Sequence, residues 1–220
     1  MGYNFRVVIF DIIAIILLWG YYNKQRDVFS MERAEYLEML IGNIEKELLN
    51  DFNFKRISEI DKDTLRNKGF YCLRLKEDSA FPERYQSILE KRAYKYIYIG
   101  MTEKTLEERL SQELRHIKAG TFFRSIGCVL QKKPIAGHLK GKKNQNNYEF
   151  SSEVTREIVD WLECNVEVSA VKYDGDINIK NIEKYIIKKY SPLLNCVHNE
   201  MSLQELKKDK EECRKIARGQ

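Results

Sequence analysis

Apolar positions recur at two spacings along this chain, and each spacing predicts its own kind of element. Period two appears in Tyr94–Ile99, where tyrosines at 94, 96 and 98 alternate with Lys95, Ile97 and Ile99. It appears again in Asn165–Tyr173, where Val166, Val168, Ala170 and Lys172 share one face. Both segments predict strands, and the apolar run Gly69–Leu75 predicts a third. Helical spacing links Leu37, Leu40, Ile41, Ile44 and Leu48, in a helix that Ser30 can cap and that runs to about Leu49. It links Leu106, Leu110, Leu114 and Ile117 as well, after a capping-box pair at Thr105 and Glu108, with Gly120 as the expected stop. Further helices are predicted over Phe122–Leu130, over Ser152–Glu163, and from the Asp174-Gly-Asp176 turn to a stop at Pro192. Residues 50–66 read as a polar linker, Glu77–Lys91 as a charged connection with a short helix, and Met201–Arg218 as a charged peripheral helix.

The resulting organisation is an apolar N-terminal segment (1–26), an amphipathic helix and linker (27–66), an α+β domain (67–198) and a charged helical tail (199–220). With 220 residues and 43% apolar content, one good-sized core is affordable and two are not. The net charge of +5 and pI near 8.8 permit a polyanionic partner without demanding one. Much of the excess is local. Residues 131–147 have no periodicity and no acid, yet carry Lys132, Lys133, Lys140, Lys142 and Lys143. Such a run is either solvated loop charge or a surface that positions nucleic acid through its phosphates; Gly137 and Gly141 would let the backbone approach, and Arg124 would extend the surface. The five cysteines are odd in number and form no CxxC pair, which argues against a disulfide scaffold or a zinc ribbon and suits a reducing compartment.

The N-terminal run Val7–Tyr22 is apolar except for Asp11 and Gly20. As a helix it would be about 24 Å long, short of a hydrocarbon core of about 30 Å. Trp19, Tyr21 and Tyr22 cluster at one end as an interfacial belt would, while Asp11 suits a helix packed on the domain. If the run is a single-helix membrane anchor, Lys24 and Arg26 behind it place the rest of the chain on the cytoplasmic side.

Three motifs carry candidate chemistry. Gly69-Phe70-Tyr71 lies on the first strand. Tyr98-Ile99-Gly100 lies on the second and is followed by the helix of Arg109. Glu183 opens the pattern Glu-x-x-x-Ile-x-x-x-x-Pro-x-x-Asn, which closes at Asn195. On residue type alone, strand tyrosines are packing residues, and a helix arginine or glutamate is a solvated one. In this order and at these spacings, the set resembles the GIY-YIG nuclease family over about residues 68–196, in particular a bacterial subgroup of poorly defined function. The resemblance implies a small mixed three-stranded sheet flanked by helices, with one phosphodiester-cleaving site. It implies that Tyr71 and Tyr98 face that site, one as general base, that Arg109 neutralises the phosphate, and that Glu183 is the protein ligand of Mg²⁺ or Mn²⁺. Gly100 and Asn195 would meet the substrate. Where many relatives carry a histidine one turn after the arginine, this chain has Glu113; His116, a turn further on, is the replacement candidate. Met101 stands where many relatives have a polar or basic residue.

The expected activity is therefore divalent-metal-dependent endonuclease cleavage of nucleic acid, DNA in preference to RNA, with no organic cofactor. The alternative is a non-catalytic module of the same fold that binds nucleic acid or protein at a membrane. Four elements should bring Tyr71, Tyr98, Arg109 and Glu183 to one concave surface.

Overall fold

The computed structural model describes residues 35–117 and 120–220. The chain divides into two units, Met1–Ile44 and Glu45–Gln220. The run Val7–Tyr22 and the cap at Ser30 lie outside the described residues. Among the described residues, no helix is long and apolar enough to cross a membrane. Helix α1 occupies residues 35–48, and its stripe behaves as the spacing predicts: Ile41, Ile44 and Leu48 are buried.

The second unit is built on strands β1 (Gly69–Leu75), β2 (Tyr96–Thr102) and β3 (Val166–Lys172), in the order β2-β1-β3. Both pairings are antiparallel, so the sheet is not the mixed one expected. The central strand is buried on both faces, which explains its unbroken apolar reading. Tyr71 and Leu73 belong to the main core with Ile97, Tyr98, Val166 and Val168. That core is closed by helices α4 (Leu106–Arg115), α5 (Thr121–Val129), α6 (Ser152–Asn165) and α8 (Gln204–Arg218). Two shorter helices, α2 (Lys62–Arg66) and α3 (Glu83–Glu90), flank it, and α7 (Ile179–Tyr190) packs along β2.

Register decides which tyrosines face the core. Leu73 lies opposite Tyr98, but its neighbour Arg74 lies opposite Tyr96, so β2 carries a bulge. The bulge breaks the expected common face of Tyr94, Tyr96 and Tyr98. Tyr98 stacks 6.2 Å from Tyr71, while Tyr96 joins Phe54, Tyr94 and Tyr190 in a separate aromatic cluster.

Both sheet edges are covered. Residues 193–195 run along β2: Leu193 N–H donates to the Tyr96 carbonyl (3.1 Å) and Leu194 N–H to that of Ile97 (2.8 Å). Asn195 completes the run by accepting from Ile99 N–H (2.9 Å) and donating to the Ile99 carbonyl (2.8 Å). On the other edge Lys55 exchanges two backbone hydrogen bonds with Val168, at 3.1 and 2.9 Å. The segment 50–66 is therefore no linker. It holds two short 3-10 turns and α2, buries Phe54 and Ile60, and blunts the β3 edge.

Two further expectations give way. Helix α4 ends at Arg115 instead of Gly120, because His116 takes a left-handed conformation (φ 52°) and leaves Ile117 exposed. The tail helix is not peripheral. In α8, Leu206, Lys210, Cys213 and Ala217 are buried, and the 131–147 loop is bonded to its end through Gly137 N–H to the Ile216 carbonyl and Leu139 N–H to that of Ala217. The helical spacing of those four buried positions is present in the sequence, but charged neighbours on every side hide it.

Candidate active site

Four elements supply the candidate residues. Helix α4 begins where Thr105 accepts from Glu108 N–H (3.2 Å), and this cap sets the rotation that carries Arg109 toward the sheet. Helix α7 begins at Asn178, whose side chain accepts from Lys180 N–H (2.9 Å), and it brings Glu183 to the Met101 N–H at the end of β2. Arg109 and Glu183 line one open cleft of about 460 Å³, together with Thr102, Lys104 and Gln112.

Behind the cleft Arg109 is held at two points. Its Nε donates to the Tyr71 hydroxyl (3.2 Å), and its Nη2 pairs with Glu113 Oε1 (2.6 Å). Glu113 is fully buried, and its other oxygen accepts from Phe122 N–H (2.8 Å) in the first turn of α5. One carboxylate thus ties the arginine to a helix N-terminus, a favourable place for negative charge. Spacing alone had pointed to Glu113 only as the occupant of a missing histidine's place. Its position four residues after Arg109 was the available signal for a pair.

The electrostatics follow from burial. Desolvation raises the Tyr71 and Tyr98 hydroxyls above the usual tyrosine range; Glu113 adds to the rise and Arg109 opposes it. Desolvation works against the Arg109 charge, but Tyr71 and Glu113 outweigh it and hold the guanidinium firmly charged. Glu183 and Glu113 are both raised by burial and pulled back by Arg109.

The structure brings Tyr71, Tyr98, Arg109 and Glu183 together, though not all on the surface. Tyr71 is fully buried behind Arg109, while Tyr98 and Glu183 line a second, smaller chamber. Gly100 is covered by the Tyr71 ring. A Cβ there would lie 2.4 Å from the Tyr71 hydroxyl oxygen and 2.5 Å from its ring. Asn195 borders the small chamber, but its amide is spent on the β2 backbone.

Other candidates are not brought to the cleft. His116 stacks on Phe123 at 4.3 Å, and burial, with Arg124 nearby, pushes its pKa down. Arg124 was expected on the surface; it is 7% exposed and lies over the Tyr148 ring, because α5 is buried from Phe122 to Val129. Lys132 pairs with Glu157, Lys142 abuts His138 Nε2 (2.6 Å), and Lys133, Lys140, Lys142 and Lys143 are exposed. None of the five lysines lines the cleft or the chamber.

Compared with known protein families, the chain matches the GIY-YIG catalytic domain over residues 69–216. The chain belongs to the GIY-YIG family. No curated protein and no solved structure matches it. Membership in the GIY-YIG family implies activity of the nuclease type, with nucleic acid as the general substrate class. The matched region runs through most of α8, in keeping with the burial of that helix in the domain.

The glycine of the second GIY-YIG motif offers a direct test of this packing. Gly100→Ala is expected to displace the Tyr71 ring and lower stability by about 1–3 kcal/mol, the usual cost of overpacking. Because Tyr71 holds Arg109, cleavage should fall by about tenfold or more at temperatures where the variant remains folded. Chemical denaturation and a nicking assay measure the two effects, and an unchanged pair of values would show that the ring moves aside freely.

Proposed function

We propose that this protein is a divalent-metal-dependent endonuclease that hydrolyses phosphodiester bonds, with DNA as its preferred substrate. The observation that carries the reading is the meeting of Arg109 and Glu183, from separate helices, in one open polar cleft backed by the two motif tyrosines.

The donor set fits a weakly protein-bound hard cation. Among the described residues no group of three or more His, Cys, Asp and Glu side chains gathers as a cage. Glu183 as sole protein ligand, lining an open cleft, suits Mg²⁺ or Mn²⁺, ions that retain most of their water. When bound, such an ion supplies positive charge to the phosphate oxygens and acidifies water. Arg109, locked by Tyr71 and Glu113, presents a fixed charge to the phosphate without reorganising. Tyr98 is the motif tyrosine placed to touch water or substrate, since Tyr71 is sealed behind the arginine. Burial keeps the Tyr98 phenol protonated at neutral pH, so it acts as a hydrogen-bonding partner of the attacking water; it becomes a base only where further positive charge draws its pKa down.

The test is cleavage of supercoiled plasmid and of a matched RNA by the purified protein, with Mg²⁺, with Mn²⁺, and with chelator. Metal-dependent nicking of the plasmid at a higher rate than the RNA supports the reading. Cutting of neither polymer with either ion would leave the protein as a binding module of this fold.

A further inference from the structure

Next to the cleft lies a chamber of about 180 Å³ that shares Glu183 with it and is also lined by Tyr98, Asn195, His198 and Lys210. Lys210 comes from α8, outside the three motifs. It is 8% exposed, and among the described residues its ammonium donates to the Ser125 hydroxyl alone (3.0 Å). An ammonium carries three donors, and a buried one is ordinarily paired with a carboxylate. No ion pair joins Lys210 to any carboxylate among the described residues. Its charged neighbours are instead cations. Burial works most strongly against its charge, and Arg124 and Arg214 add to that, with Cys196 and Cys128 acting the other way. Arg124 Nη1 and Arg214 Nε are themselves buried without hydrogen-bond partners. Glu211 pairs with Arg214 on the same helix, and Glu113, the nearby buried carboxylate, is occupied by Arg109 and Phe122.

Lys210 is therefore a buried cation with no carboxylate partner among the described residues, and it borders a cavity beside the candidate active site. A hydrophobic residue at 210 would avoid the cost of burying that charge, so packing does not account for it. The cavity is well below the roughly 300–1,000 Å³ of pockets that enclose whole small molecules, which suits a single phosphate group better than a nucleoside. Glu183 repels an anion, which places the phosphate at the Lys210 end.

We propose that this chamber is a phosphate subsite, in which Lys210 binds a strand phosphate neighbouring the one that is cut. The assignment rests on the nuclease reading above. Lys210 is then a substrate-binding residue contributed by the C-terminal helix.

The full chain is tested in chelator, so that binding is read without turnover, using a fluorescent DNA duplex and, separately, inorganic phosphate. Lys210→Met should weaken duplex binding by several-fold to tenfold and reduce the log–log salt slope by about 0.9, the value of one phosphate contact. It should abolish phosphate binding, and Lys210→Arg should restore most of both. Because the variant removes an unpaired buried charge, its melting temperature should be unchanged or higher. Ser125→Ala should bind as the wild type does. A duplex with one neutral methylphosphonate beside the cut should bind the wild type more weakly at one position, where Lys210→Met is indifferent. Wild-type affinity and slope in Lys210→Met would overturn the subsite. So would a lowered melting temperature shared with Ser125→Ala, which marks a structural lysine. The two proposals fail separately. If the wild type cuts nothing but Lys210→Met still loses phosphate, the nuclease reading falls and the anion site stands. If the wild type cuts and Lys210→Met binds normally, only the subsite falls.

Discussion

Glu183→Ala is expected to leave the fold intact and to reduce cleavage by about 10³-fold or more, the scale seen when a group that stabilises transition-state charge is removed. Among the described residues Glu183 is the one carboxylate that lines both the cleft of Arg109 and the chamber beside Tyr98. Among the described residues it forms no ion pair, so alanine gives up only the contact with the Met101 N–H. The pH dependence has a defined sign. Burial raises the folded-state pKa above the ordinary glutamate value, so the ionised carboxylate costs stability at neutral pH, and that cost is relieved as pH falls through the folded pKa. The alanine variant should thus be at least as stable as the wild type at neutral pH, with the difference shrinking in acid. Cleavage by the wild type should fade on acidification from above the ordinary glutamate range, because metal binding needs the ionised form. Circular dichroism, thermal melts at several pH values and a nicking assay cover these outcomes. Wild-type turnover in the alanine variant would remove Glu183 from the mechanism.

The second large effect is expected at a residue that touches no substrate. Glu113→Ala leaves Arg109 without its carboxylate and Phe122 N–H without its acceptor, both in the interior. Breaking a buried pair by removing one partner costs about 3–5 kcal/mol. A domain of ordinary stability loses a large share of its margin to such a change. Glu113→Gln separates the two duties, since its amide oxygen can still accept from Phe122 while the negative charge beside Arg109 is gone. We expect Gln to recover part of the stability and little of the cleavage rate. The comparison is made by denaturant unfolding and by nicking at a temperature where both variants are folded. Equal stability of Glu113→Ala and wild type would show that water replaces the carboxylate, and that Arg109 is positioned by Tyr71 alone.

These two residues differ in how they could be found. Glu183 was legible because the motif it opens is a local pattern of helix, proline stop and asparagine, and the structure shows that same segment running along β2. Glu113 was legible only as an anomaly. Its duty depends on where the N-terminus of α5 lands, and nothing local specifies that. His116 shows the converse. Helical spacing placed it on the face of Arg109, but a left-handed residue at that position ends the helix and turns the ring onto Phe123. Arg124 reads as a surface cation by type, and becomes a core residue because α5 is buried from Phe122 to Val129.

By itself the sequence determined the α+β class, the three strands, the start of α4, the proline stop of α7, the order of the motifs and the family. These depend on side-chain period, caps and stops, which act over a few residues and survive in any tertiary setting. Only the tertiary structure decided the antiparallel order β2-β1-β3, the bulge that separates Tyr98 from Tyr96, the use of residues 50–66 as cover for the β3 edge, and the burial of α8 with Lys210 beside the cleft. Each of those is a choice of partner between distant segments. Strand register and helix docking are set by which apolar faces meet and which edges need covering, and that information lies in the three-dimensional pairing, not in any single stretch of chain.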